Sequence, residues 1–398
     1  MHTERLTEIQ NALKESKVDG WLFYDLHFRD PIAYRVLGLP TSGHTSRRWF
    51  YYIPANGEPL GLVHKVEKTK LDSLPGKKLS YLSWRELTTS LQDILPKKGR
   101  VMMQYSPMAA IPTVSYVDGG TIELLRSFGL EIVSSADLVQ SFEATINEEG
   151  KESHIRASVK IQKIKNEAFE RVEQELKAGR SLTEFELQQW IVKRFQEEEL
   201  DCMGHYPIVG VNEHPADPHF EPTLANSYKI EKGSTLLIDL WAKEKKPGAI
   251  FYDITWCAFV GLEPPEKYDE IFSIVVKARN NALALIKERF AKGQELRGYE
   301  VDDVCRATVA EGGYGDFFIH RTGHSIGETV HGNGANMDNL ETKDERRLLP
   351  NTCFSIEPGI YLTREMAVRT EINVFITSQS DIVVAGAQQE KLLLLNVP

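Results

Sequence analysis

Apolar and polar positions follow two rhythms along this chain. Leu6, Ile9 and Leu13 recur at helical spacing, so residues 3–17 are expected to form a helix. After Gly20 the rhythm shortens. Compact apolar runs at Trp21–Tyr24, Arg48–Ile53, Leu60–Val63, Leu79–Leu82 and Arg100–Gln104 read as strands. This mixture predicts an N-terminal α/β unit. The polar stretch Asn147–Glu152 contains Gly150 and marks the expected boundary, giving domains 1–148 and 149–398.

Beyond the boundary the helical rhythm returns at greater length. A helix over 151–177 would use Ile155, Val159, Ala168 and Val172 among its apolar positions. Ser181 followed by Glu184 fits a capping box and opens a second helix through Leu200. Pro265 opens a third helix, through Lys292, with Gly293 as its stop; a fourth covers roughly 301–311. Strand runs lie at Thr235–Trp241, Ala249–Gly261, Cys353–Tyr361, Ala367–Thr377 and Asp381–Ala385. The second half therefore reads as α+β, with long helices packed on a mostly antiparallel sheet.

Composition narrows the function classes. At 41% hydrophobic and 26% charged the chain is an ordinary globular protein. A formal charge of −10 argues against a nucleic-acid or anionic-membrane partner, which would want a basic face. Cys202, Cys257, Cys305 and Cys353 are far apart and form no CxxC, so disulfides and a thiolate zinc site are not expected. The opening MHTERLTEIQ lacks an apolar segment of the secretory kind, and no run is long enough to span a bilayer. The expected location is the cytoplasm.

Chemistry concentrates at four carboxylates set inside apolar strand runs: Asp239 in LLIDLW, Asp253 in FYDITW, Glu357 in FSIEPGIY and Glu371 in RTEINVFI. One such residue is ordinarily a solvent-facing position on a half-exposed strand. Four in one sheet domain repel one another if buried, and two divalent cations would balance their charge. Between them lies a loop with His320, His324 and His331 among Gly323, Gly327, Gly332 and Gly334, where a tight backbone could bring ring nitrogens to a metal cluster.

Asp239, Asp253, the GHSIG segment, IEPGIY and RTE occur in the order seen in the pita-bread metallopeptidases, and the second half resembles that family throughout. The N-terminal unit resembles the Xaa-Pro branch, of dipeptidases (prolidases) and aminopeptidases. The resemblance implies Asp239, Asp253, His324, Glu357 and Glu371 as ligands to two metal ions, with Asp253 and Glu371 bridging. An oxygen-rich set with one imidazole suits Mn²⁺, with Co²⁺ or Zn²⁺ as alternatives. It further implies Glu357 as proton shuttle, His331 as stabiliser of the tetrahedral intermediate, His219 in the proline pocket, and a homodimer.

The chain departs from the family pattern in places. The two aspartates are 14 positions apart, a longer gap than usual, with the extra residues in Lys243–Gly248. Ile250, Trp256 and Gly332 stand where the family commonly has tyrosine, arginine and an acidic residue. A dipeptidase must also grip a free carboxylate, for which Arg364 and Arg369 are the candidates. The expected activity is therefore an Xaa-Pro dipeptidase, with an aminopeptidase on longer peptides as the alternative. GHSIG also matches the serine-hydrolase elbow G-x-S-x-G, but the residues after it, Glu328 to Gly334, are not helical as that turn requires. A non-enzymatic peptide-binding scaffold is the third class, which the intact ligand set disfavours.

Overall fold

A computed structural model describes residues 3–397; Met1, His2 and Pro398 lie outside the described residues. The chain divides into two compact units, Met1–Glu143 and Ala144–Pro398.

The first unit runs α1 (Thr3–Glu15), β1 (Gly20–Asp25), α2 (Pro31–Leu37), β2 (Trp49–Pro54), β3 (Leu60–His64), β4 (Lys77–Tyr81), α3 (Trp84–Ile94), β5 (Gly99–Met103), α4 (Gly119–Ser127), β6 (Leu130–Ser134) and α5 (Ala136–Glu143). Its sheet has the order β4-β3-β2-β1-β5-β6 and mixes parallel and antiparallel neighbours. The central strand has no polar face because both faces are covered. Trp21 and Phe23 enter one apolar core, while Leu22 and Tyr24 enter another.

The second unit continues with α6 (Glu148–Lys177), α7 (Glu184–Glu197), β7 (Leu200–Asp201), β8 (Ile208–Val211), β9 (Thr235–Glu244), β10 (Tyr252–Val260), α8 (Glu266–Ala291), α9 (Gly298–Glu311) and β11 (Ser325–Ile326). It ends with β12 (Thr352–Ile356), β13 (Gly359–Leu362), β14 (Met366–Arg369), β15 (Ile372–Ile376), β16 (Ile382–Ala385) and β17 (Leu393–Leu395). One sheet has the order β17-β10-β9-β7, with β8 also paired to β9; another has the order β11-β12-β15-β16; β13 and β14 form a separate two-stranded ribbon. The long helices α8 and α9 pack together, and their apolar residues join β-strand residues such as Leu237, Phe354 and Val374 in one core.

Two local details differ from the sequence expectation. Ile155 and Val159 lie on α6 but are exposed; Ala157, Ile161, Ile164, Ala168 and Phe169 form the stripe that packs on the sheet. The capping box of α7 is Thr183 with Glu186, one pair later than Ser181 and Glu184. The shift releases Glu184 from capping, and its carboxylate turns inward to bind the backbone of another segment.

The most consequential difference lies in the last third of the chain. The expected continuous strands Cys353–Tyr361 and Ala367–Thr377 are each broken in two. The breaks fall at Glu357-Pro358 and at Thr370-Glu371. Pro358 has no N–H to give a ladder, so the chain leaves one sheet there and enters the ribbon.

Candidate metal centre

Asp239 and Asp253 are carried by the antiparallel pair β9–β10. Asp253 pairs with Trp241, and Asp239 with Thr255, so the two carboxylates are diagonal neighbours on one face. The longer connection noted in the sequence leaves this register intact. It is tethered where Lys243 Nζ donates to Glu328 O at 2.6 Å and Phe251 N to Gly327 O at 3.0 Å. Ile250 is buried with Ile146, Phe251, Ile326 and Phe375, so an apolar contact fills the place of the family's tyrosine.

Glu357 and Glu371 come from the two strand breaks. Glu371 N donates to Thr255 O at 3.2 Å, fastening the second break to β10. Asn373 completes the join: its Oδ1 accepts from Asp253 N at 2.8 Å and its Nδ2 donates to Asp253 O at 2.7 Å. One buried amide thus replaces a ladder rung between the sheets.

His324 arrives on the glycine-bearing loop. Gly323 pairs with Met337, and a Cβ on it would collide with Ser355 O. Only glycine permits this approach. His324 N then donates to Ser355 Oγ at 2.9 Å, and Ser355 Oγ donates to Glu357 Oε1 at 2.9 Å. His324 Nδ1 is directed to Ser325 O at 3.2 Å, which turns Nε2 toward the carboxylates. Nε2 lies 3.2 Å from Glu357 Oε1 and 3.7 Å from Asp253 Oδ2.

Carboxylates buried this close repel one another unless a positive charge lies among them. Asp253, His324 and Glu371 each offer a ligand atom, all within 4.8 Å of one another. Asp239 Oδ1, Asp253 Oδ1 and Glu371 Oε1 are buried with no hydrogen-bond partner among the described residues. Burial, and then neighbouring carboxylates, push the Asp253 and Glu371 carboxyls well above the ordinary range. Burial raises Asp239 too, partly offset by Arg369. Glu357 behaves differently: burial would raise it, but the His324 hydrogen bond and the surrounding positive charges outweigh that and hold it low. Unpaired buried carboxylate oxygens gathered beside an imidazole nitrogen fit a divalent cation site.

Around the cluster runs a supporting network. Arg369 donates to Asp239 Oδ2, to Thr255 Oγ1 at 3.0 Å and to Tyr361 OH at 3.1 Å. Thr255 Oγ1 donates in turn to Glu371 Oε2 at 3.0 Å. Tyr361 OH lies 2.7 Å from His320 Nε2, whose other nitrogen meets Arg321 O at 2.7 Å. Desolvation pushes His320 down to about 4, so it is a neutral acceptor here. Trp241, Thr255, Ser355, Tyr361 and Asn373 were not singled out from the sequence, and His320 was only weakly marked. The signal for Tyr361 and Asn373 was positional, each standing near a carboxylate in the motif that carries it.

The cluster forms one wall of a cavity of about 660 Å³, whose lining includes Ile208, Pro218, Trp241, Val330, His219 and His331. His331 packs edge-on against His324, with ring centroids 4.4 Å apart. The two arginines expected to hold a carboxylate are placed otherwise. Arg369 is buried and committed to the cluster, and Arg364 sits exposed in the turn of the ribbon at φ 62°, outside the cavity lining. Arg321 lines the cavity instead, with Glu341 Oε2 4.0 Å away.

Long helices on antiparallel sheets, with acids from two strands and two strand breaks and an imidazole from a loop converging on one site, define a pita-bread metallohydrolase. A model of metallopeptidase family M24 matches residues 157–378, more than half of the chain. The chain belongs to that family. An Xaa-Pro dipeptidase of Pyrococcus furiosus is 32% identical over 185 residues, which is 46% of this chain and 48% of that one; the match thus spans about half of that relative. The crystal structure of dipeptidase PepE from Mycobacterium ulcerans superposes over 99% of this chain and 98% of its own, with a TM-score of 0.69 at 20% identity. An X-prolyl aminopeptidase from Caenorhabditis elegans, described as a cytosolic enzyme with a di-nuclear active site, gives a TM-score of 0.61 at 17% identity, covering 97% of this chain and 61% of that one.

Proposed function

We propose that this metallopeptidase hydrolyses Xaa-Pro bonds, with dipeptides as preferred substrates. The observation that carries the reading is the cluster of Asp239, Asp253, His324, Glu357 and Glu371, with three buried, unpartnered carboxylate oxygens, at the edge of the cavity. These five residues would hold two divalent ions, and Mn²⁺ is the ion we favour for so oxygen-rich a set. When bound, such a pair supplies Lewis acidity toward the scissile carbonyl and lowers the pKa of water.

The chain's own groups account for the remaining work. Glu357 is the partly open member of the cluster, and it accepts a proton from water and delivers it to the leaving nitrogen. Its orientation is kept by Ser355 and His324. His331 and His219, both with exposed surface at the cavity, donate to the substrate. Ile208, Pro218, Trp241 and Val330 give the apolar surface a pyrrolidine ring needs. Arg321 takes the carboxylate-binding role that the sequence suggested for Arg364 or Arg369.

Support for dipeptides over longer peptides comes from that guanidinium and from the Pyrococcus furiosus relative. A cytoplasmic homodimer belongs to the same reading. The test is an Mn²⁺-supplemented assay of an Xaa-Pro dipeptide beside an Xaa-Pro-Yaa tripeptide. Faster dipeptide turnover is expected, with Arg321→Ala raising the dipeptide KM about tenfold through loss of a charged contact. Cleavage of the tripeptide alone would replace the dipeptidase reading with an aminopeptidase.

A further inference from the structure

Glu184 is a fully buried carboxylate on the first turn of α7 and is not part of the cavity lining. Its oxygens accept from Val211 N at 2.7 Å and Tyr228 N at 2.6 Å, and both lie 2.9 Å from His214 Nδ1. The His214 ring is held between two aromatic faces, Phe220 at 4.2 Å and Tyr228 at 3.8 Å, both close to parallel. Tyr228 OH then donates to Glu213 Oε1 at 3.0 Å.

The segment pinned in this way runs from Val211 to Phe220 and carries Pro218 and His219 to the cavity. Its entry is closed by Asn212, whose N donates to Thr235 O and whose Oδ1 accepts from Thr235 N, both at 3.1 Å. The short turn His214–Ala216 packs against the β13–β14 ribbon that leads to Glu371. Pro215 leaves no room for a side chain at position 210, since a Cβ on Gly210 would lie 2.8 Å from its ring. His219 itself has only a local restraint, its N donating to Asp217 Oδ1 at 3.0 Å. An exposed ring on an otherwise unsupported loop would sample many positions. Here the anchor five residues upstream and the buried Phe220 immediately downstream fix the backbone on both sides of it.

We propose that Glu184 and His214 form a positioning clamp for the His219 loop, acting on substrate affinity without touching substrate. The inference rests on the reading of His219 as a substrate-contacting residue. Two substitutions separate the parts of the clamp. His214→Phe keeps an aromatic ring in the stack but removes the donor to Glu184. His214→Asn keeps a donor at the Nδ1 position but removes the ring.

The experiment is steady-state kinetics of the full, metal-loaded chain on an Xaa-Pro dipeptide, with metal content and melting temperature measured alongside. His214→Phe is expected to raise KM about tenfold with kcat within about twofold, and His214→Asn to restore part of that loss. Combined with His219→Ala, it should add nothing further, since both act through one ring. An unchanged KM in folded His214→Phe overturns the clamp while leaving the His219 reading intact, provided His219→Ala raises KM. Additive effects in the double variant also overturn the clamp. No KM change in His219→Ala overturns both. Should His214→Phe fail to fold, Glu184→Gln provides the same comparison, because it retains one acceptor oxygen and loses the charge.

Discussion

Two pairs of carboxylates reach the same place by different means. Asp239 and Asp253 sit within unbroken strands, where alternation alone turns both side chains to one face. Glu357 and Glu371 sit at interruptions, where the chain passes between a sheet and the β13–β14 ribbon. A strand fixes direction well but offers only two directions. A break frees the side chain from alternation and lets it be aimed, at the cost of ladder hydrogen bonds that Thr255 O, Thr322 O and Asn373 help to replace. The residue given the proton-transfer role, Glu357, is also the member with an open side toward the cavity, while the strand-borne pair is more deeply covered.

The comparison can be broken first at Glu357. Glu357→Ala is expected to lower kcat by about a thousandfold or more, since it removes the side chain proposed as both a ligand and the proton carrier. Near-normal turnover would remove the distinction between the two pairs. The next effect tests the suture. Asn373→Ala leaves Asp253 N and O without partners and should destabilise the protein by about 2–4 kcal/mol in denaturant titration, with weaker metal binding in parallel. A loss under about 0.5 kcal/mol would mean that the join contributes little.

A third measurement concerns the unpaired strand-borne charge. With metal chelated, Asp253→Asn should raise stability by about 1–3 kcal/mol at neutral pH, because it removes a buried carboxylate that no longer has a counter-charge. The sign with pH follows from the raised carboxyls. Ordinary values of 3.8 for Asp253 and 4.5 for Glu371 are exceeded in the folded chain. Their contribution is therefore fully present below about pH 4 and is lost as pH rises through the folded values. Thermal unfolding of the chelated protein should show stability falling with rising pH over that range, less steeply in Asp253→Asn. The smallest effect belongs to Lys243→Ala in the extended hairpin. It removes an exposed contact to Glu328 O and should change stability by less than about 0.5 kcal/mol, with metal content unaltered.

Much of this centre was legible because apolar runs interrupted by acids are unusual, and the strand-borne aspartates appear as such in sequence. The breaks were not legible. FSIEPGIY and RTEINVFI read as continuous strands, since nothing in the apolar rhythm records a change of partner strand, although Pro358 was a usable sign. The role of Glu184 was hidden for a related reason. The sequence pattern assigns Glu184 to a capping box with Ser181, and only the chain's return at Val211 and Tyr228 buries it. Arg364 and Arg369 illustrate the limit of proximity in sequence. Arg369 shares a strand with the approach to Glu371 and is drawn into the cluster by Asp239, whereas Arg364 is carried out on a turn.

The central claim is that five side chains jointly hold two cations, and counting ions tests it most directly. Purified protein, stripped and reloaded with Mn²⁺, should bind two equivalents per chain by inductively coupled plasma mass spectrometry and calorimetry. Asp253→Ala and Glu371→Ala should each lose at least one of them. Failure to bind any divalent metal above background, or two equivalents retained in both variants, would contradict the account.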